Sequence, residues 1–182
     1  GEKETNQNNE DNNVNVNNNQ AVLNMEIKEV KSPISGKVIE LAKVNDPVFS
    51  SGAMGKGVAI EPVDNKVYAP FDGVVEFIAD TKHAIGLLSD DGVEVLIHVG
   101  MDTVKMAGKG FDVKTKANSR VKAGDLLLEF DKSTIEKEGY SLITPVVITN
   151  ADNYEDKQLC INEEVENGKS IINLKKLSIQ TQ

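Results

Sequence analysis

The stretch 93–104, VEVLIHVGMDTV, sets a histidine inside an apolar run, and His98 is one of only two histidines in 182 residues. The other, His83, lies fifteen positions earlier in TKHAIGLL. A neutral imidazole with a pKa near 6.5 keeps a free lone pair at neutral pH, so it can serve as a nucleophile. A second imidazole beside it can donate a hydrogen bond to an anionic group in transfer. Metal binding is the weaker chemistry. Two histidines leave Zn²⁺ at least one protein ligand short, and Asp102 or a partner's carboxylate would have to complete the set. For a lone strand histidine the plain reading is a partly buried, hydrogen-bonded side chain. The pair matters only if the chain brings both rings together.

The elements around them predict that it does. The runs 83–88 and 93–99 flank SDDG, a hairpin turn signal. With a two- or four-residue loop, paired positions sum to 181 and His83 faces His98, with Cβ atoms about 4.5–5.5 Å apart. A three-residue loop would shift the pairing by one. Strand alternation puts Val93, Val95, Ile97 and Val99 toward the core and Glu94, Leu96 and His98 on the opposite face. It sets His83, Ile85 and Leu87 opposite Ala84, Gly86 and Leu88.

Short Val/Ile runs separated by turn residues predict an all-β chain: an antiparallel β-sandwich or barrel with one or two short helices. One expected strand covers 47–49. The one helical stretch, 132–139, follows Asp131 as N-cap and stops at Gly139. The sequence also repeats. SPISGKVIEL (32–41) resembles APFDGVVEFI (69–78), with TPVVITN (144–150) a weaker copy. RVKAGDLLLEF (120–130) resembles EVENGKSIINL (164–174). A recurring hairpin that cannot bury its apolar face alone must wrap against its copy.

Residues 1–24 read as an Asn-rich tail or linker, with the domain at 25–182. The first twenty hold nine Asn and only two apolar residues, too few to offset ordering entropy. The opening Gly in place of Met is expected of a cloning scar or a fragment of a longer protein. A net charge of −9 and a pI near 4.8 disfavour nucleic acid or an anionic membrane as partner. No apolar run of about eighteen residues is present, so no membrane insertion of this chain is expected. The single cysteine, Cys160, fits a reducing compartment and reads as a buried, inert thiol. GAMGKG (52–57) and GKS (168–170) fit neither a dinucleotide fingerprint nor a P-loop and read as turns. Lys56 lacks the flanks of a lipoyl or biotin attachment site.

The residues then carry a resemblance. VKSPISGKV (30–38), GKGVAIEP (55–62), TKHAIGL (81–87), IHVGMDTV (97–104), MAGKGFDV (106–113), RVKAGDLLLEFD (120–131) and TPVVITN (144–150) resemble, in order and spacing, the glucose-type EIIA domain of the bacterial sugar phosphotransferase system. The resemblance spans about 26–177. It implies a sandwich built on a duplicated hybrid motif. It implies a phosphocarrier that takes a phosphoryl group from the phosphohistidine of HPr and hands it to a cysteine of a sugar-specific EIIB domain. His98 would carry the phosphoryl on Nε2, His83 would be the second active-site histidine, and the Thr81 hydroxyl would bond one imidazole. Val48, Phe49 and Met54 match an apolar docking face, and Asp46 and Asp102 its acidic positions. Core packing is the plain alternative for Val48 and Phe49, and a turn before Pro47 for Asp46. Ala79 and Leu96 stand where relatives can carry aromatics. No cofactor is required; the same resemblance implies, for a regulatory role, a zinc ion shared with a partner protein at His83 and His98. A cytoplasmic location is implied, free or as the soluble domain of a membrane permease. The alternative role is regulatory: binding target proteins, or fusion to a permease.

Overall fold

Gly36 and Gly73 occupy the same place in the two repeats, and each opens a strand pressed against its neighbour. A Cβ on Gly36 would lie 2.2 Å from the Glu61 carbonyl oxygen, and one on Gly73 2.1 Å from that of Leu88. Only glycine allows that approach. The repeat is therefore a packing requirement made twice.

The structure, a computed structural model, describes residues 22–180. The expected tail lies outside the described residues except for its last three positions, which open the first strand. The first described strand thus takes in Val22 to Asn24 of the expected tail. Along the chain the strands are β1 (Val22–Lys31), β2 (Gly36–Glu40), β3 (Lys56–Pro62), β4 (Lys66–Tyr68), β5 (Gly73–Ile78), β6 (Ala84–Ser89) and β7 (Glu94–His98). They continue as β8 (Phe111–Val113), β9 (Arg120–Val121), β10 (Leu126–Phe130), β11 (Thr144–Ile148), β12 (Asp156–Leu159), β13 (Glu164–Val165) and β14 (Ser170–Gln180). Two short helices, α1 (Pro47–Ser50) and α2 (Lys132–Lys137), complete the all-β sandwich.

The large sheet runs β13-β2-β3-β11-β7-β6-β5-β9, and two small sheets, β1-β14-β12 and β4-β10-β8, cover one of its faces. The order is symmetric with the duplication: β13 flanks β2 as β9 flanks β5, and all pairings are antiparallel. Gly124 and Gly168, at φ +90° and +93°, make the equivalent turns after β9 and β13. Between the layers lie Val38, Ile60, Ile85, Leu87, Ile97 and Val146, among others. The central strands are apolar on both faces. Ile39, Ala59, Ala84, Leu96 and Val147 point the other way, into a second cluster with Leu41, Val44, Phe49 and Met101. That outer cluster is what holds the histidine site.

Two local expectations change. Residues 47–49 form α1, not a strand. Asp46 caps it by accepting from the Val48 amide at 3.0 Å, and Pro47 occupies the first turn, where its missing N–H costs nothing. A three-residue apolar run is too short for periodicity to separate the two states. The helix after Asp131 forms as expected, with the Asp131 carboxylate accepting from the Thr134 amide at 3.2 Å. Cys160 is half-buried, its thiol 2.8 Å from a Glu163 carboxylate oxygen, and burial pushes its pKa up.

Candidate active site

The β6–β7 hairpin closes through a three-residue loop, Asp90–Asp91–Gly92. Ser89 N–H bonds the Val93 carbonyl at 2.9 Å, the Ser89 hydroxyl accepts from Val93 N–H at 2.8 Å, and Gly92 takes φ +90°. The register is therefore Ala84 opposite His98 and Leu88 opposite Glu94, with positions summing to 182. The direct pairing of His83 with His98 is corrected by one position, because the left-handed glycine favours the three-residue turn. With it, Ile85 and Leu87 join Ile97 and Val95 on the core face.

His83 still reaches His98, by another route. The β5–β6 connection is a tight loop: Lys82 N–H bonds the Ala79 carbonyl, Ala79 N–H bonds the Ala84 carbonyl, and Lys82 sits at φ +64°. His83 is the last loop residue, freed from strict alternation. Its carbonyl accepts from Val99 N–H at 2.7 Å, which ties the loop to the end of β7. The two rings meet edge to face, centroids 4.6 Å apart at 84°.

Each ring is held from behind. His98 Nδ1–H donates to the Gly100 carbonyl at 2.8 Å; since a carbonyl only accepts, the lone pair of the neutral ring lies on Nε2. Gly100 offers that oxygen from a turn at φ +77°, locked by the Thr103 hydroxyl donating to Val99 and by Met101 N–H donating to Ser141. On the His83 side, Nδ1 shares a 2.7 Å hydrogen bond with the Thr81 hydroxyl. Phe49 packs on the His98 ring at 4.9 Å, and Phe111 lies beside His83 at 6.4 Å between centroids.

The electrostatics keep both rings neutral. Burial, reinforced by the neighbouring His98, pushes His83 down to about 4. Burial also lowers His98, opposed by its bond to Gly100 and by the charges of Asp46 and Asp102. The half-buried His98 is thus a neutral base at pH 7 with one free nitrogen.

The expected docking residues divide. Val48 and Met54 are 50% and 39% exposed. Phe49 is 4% exposed, so it is a wall behind His98 and offers no docking face, as the packing alternative had it. Asp46 serves α1 as cap while lying near enough to bias His98; Asp102 is exposed at φ +59° beside the Gly100 turn. Two aromatics were missed. Phe111 sits in the quoted GFDV segment but had no spacing relation to either histidine. Phe77, half exposed, lies across Gly86, and with Met54 and Leu96 it lines one shallow depression. Its signal was an apolar residue at a nominally outward position near a strand bulge. Among the described residues no cluster of three or more His, Cys, Asp or Glu could hold a metal ion. Among the described residues no helix is long and apolar enough to cross a membrane.

The chain matches, over residues 28–154, the family described as phosphoenolpyruvate-dependent sugar phosphotransferase system, EIIA 1. It is 43% identical over 143 residues to a glucose-specific EIIA component of Oceanobacillus iheyensis, covering 79% of this chain and 87% of that one. It is 42% identical over 149 residues to the beta-glucoside-specific EIIBCA component of Halalkalibacterium halodurans, covering 82% of this chain. The chain spans only 23% of that relative's length. Among solved structures, glucose permease IIA from Mycoplasma capricolum matches with a TM-score of 0.75 and 33% identity, over 81% of this chain and 96% of that one.

Proposed function

Because the chain belongs to the EIIA 1 family of the phosphoenolpyruvate-dependent sugar phosphotransferase system, we propose that it is a phosphocarrier whose nucleophile is Nε2 of His98. The observation that carries this is the bond from His98 Nδ1–H to Gly100, which leaves one lone pair on a neutral ring beside a second neutral imidazole. The donor is a phosphohistidine of HPr. The Nε2 lone pair attacks phosphorus in line, the donor's P–N bond breaks, and its electron pair returns to the departing imidazole. His98 gains a P–N bond and a positive ring, whose Nδ1–H is stabilised by the Gly100 carbonyl and by Asp46 and Asp102. The transition state is loose, so positioning matters more than covalent help. Thr81 donates to His83 Nδ1, leaving Nε2–H to hold a phosphoryl oxygen. In the second half-reaction a cysteine thiolate of an EIIB domain attacks the phosphorus and His98 leaves neutral. The donor's high-energy P–N bond drives uptake, with no metal or nucleotide.

The exposed Val48, Met54 and Phe77 would supply an apolar docking surface, and Asp46 and Asp102 its acidic positions. Such a surface suits brief docking of protein partners with basic rims. The site works at the cytoplasmic side, where HPr and the EIIB domains reside.

The test is intact mass after incubation with Enzyme I, HPr and phosphoenolpyruvate. One acid-labile phosphoryl group, absent in His98→Ala, is expected. His83→Ala should still take up phosphoryl from HPr but deliver it to EIIB at least tenfold more slowly. No mass gain with active upstream proteins would overturn the proposal.

A further inference from the structure

Strand β1 is longer than the duplicated fold requires. Its counterpart in the other repeat is β4, which pairs with β10 over Lys66–Tyr68 only, whereas β1 pairs with β14 from Val22 to Lys31. The family match begins at residue 28, so the front of β1 lies ahead of it. Among the described residues β1 pairs with no strand but β14 and forms a sheet edge.

The backbone phase of that edge can be read from its inner end. Ser32 N–H bonds the Lys169 carbonyl, on the β14 side, while Lys31 N–H turns the other way to Pro70. The register irregularity beside Lys31 skips Ile171 of β14 and leaves β1 regular. Successive N–H and C=O groups alternate sides along a strand, so Met25, Ile27 and Glu29 present theirs to the free edge. Met25 and Ile27 are also 58% and 63% exposed, and Leu177 opposite Met25 is 41% exposed, on one face of the ribbon. On the other face Lys28 lies 3.0 Å from Glu26.

We propose that this edge pairs with a second copy of the chain, β1 antiparallel to β1 about a two-fold axis through Ile27. The symmetry leaves few registers. Edge-facing odd positions must oppose odd positions, so the axis passes through a residue of β1, and an axis through Glu26 or Lys28 would set like charges directly opposite each other. Centred on Glu29, the strand would oppose two carboxylates and run into the edge already taken by Pro70. Centred on Met25, it would match no charges. Centred on Ile27, it sets Glu26 against Lys28 of the other copy, twice, in the closer non-hydrogen-bonded pairs, and stacks Ile27 on Ile27. A lysine on an edge normally discourages such pairing. Here its ammonium is held by Glu26 and Asp91, and its side chain is 14% exposed.

The test uses the full chain and its oxidative cross-linking. In a Cys160→Ser background, Ile27→Cys places two thiols on a pair whose Cα atoms are about 5.5 Å apart, within disulfide range. It should cross-link with itself at least tenfold faster than Val63→Cys, a control at a still more exposed position. Met25→Cys should cross-link to Glu29→Cys in a mixture faster than to itself. In sedimentation, Glu26→Lys should weaken association at least tenfold, and Glu26→Lys with Lys28→Glu should restore it. Monomers at every concentration, Ile27→Cys no faster than the control, or association indifferent to these changes would overturn the proposal. Phosphoryl uptake at His98 is read separately and is expected unchanged in every variant.

Discussion

Phe49 is the side chain that converts an imidazole into a placed imidazole. Its ring packs on His98 at 4.9 Å and is itself fully enclosed by the outer cluster. Truncation removes both the burial and the wall. Phe49→Ala is therefore expected to cost about 3–4 kcal/mol in urea unfolding. It should also raise the His98 pKa toward the ordinary histidine value, because hydration of the ring relieves the main cause of its depression. An unchanged imidazole titration by NMR would show that Phe49 is packing only. Asp46 was legible in the sequence only as a turn residue or an acidic position. The structure makes it a helix cap whose charge also bears on His98.

At the scale of elements, the turn after β7 decides whether His98 has a defined tautomer. A Cβ on Gly100 would lie 2.5 Å from Thr103 Cγ2 and 2.7 Å from the Ser141 carbonyl oxygen, and the residue sits at φ +77°. Gly100→Ala must rebuild the turn, at a cost of about 1–3 kcal/mol. It is expected to cut the rate of phosphoryl uptake by more than tenfold while overall folding survives. A Gly100→Ala protein with normal uptake would mean that the carbonyl does not set the nucleophile. The facing hairpin shows how far pattern reading carries. Alternation assigned both faces of β7 correctly, because a slip there would expose an entire apolar row. The register missed by one, since SDDG is compatible with several loop lengths and only the left-handed Gly92 selects three.

For the whole molecule, the two imidazoles make stability depend on pH. In the unfolded chain a histidine titrates near 6.5, while in the fold His83 is held to about 4 and His98 is also lowered. The unfolded state then binds more protons below pH 6.5, so stability is fully present above that pH and falls as pH drops toward 4. Between pH 6.5 and 5, His83 is expected to remove about 2 kcal/mol, with a further loss from His98. Urea titrations across that window check it, and His83→Gln should flatten the dependence. An equal slope in that variant would place the proton uptake elsewhere. The same whole-molecule view makes sense of the duplication: two hybrid hairpins, each opened by a close-packed glycine, close one sandwich and leave only the β1 ribbon in excess of the repeat.

The sequence by itself determined the fold class and the internal duplication and singled out His98 and His83 as a pair, since these rest on residue type, period and spacing along one chain. It also carried Thr81, two residues from His83. The tertiary structure alone decided that Phe49 faces inward and that 47–50 is helical. It also decided that Phe111 lies beside His83, that Phe77 lies across Gly86 and that the Gly100 carbonyl holds His98 Nδ1. Those facts depend on which distant backbone fills the space beside a residue. A three-residue apolar run or a single outward aromatic has no period from which that neighbour can be read.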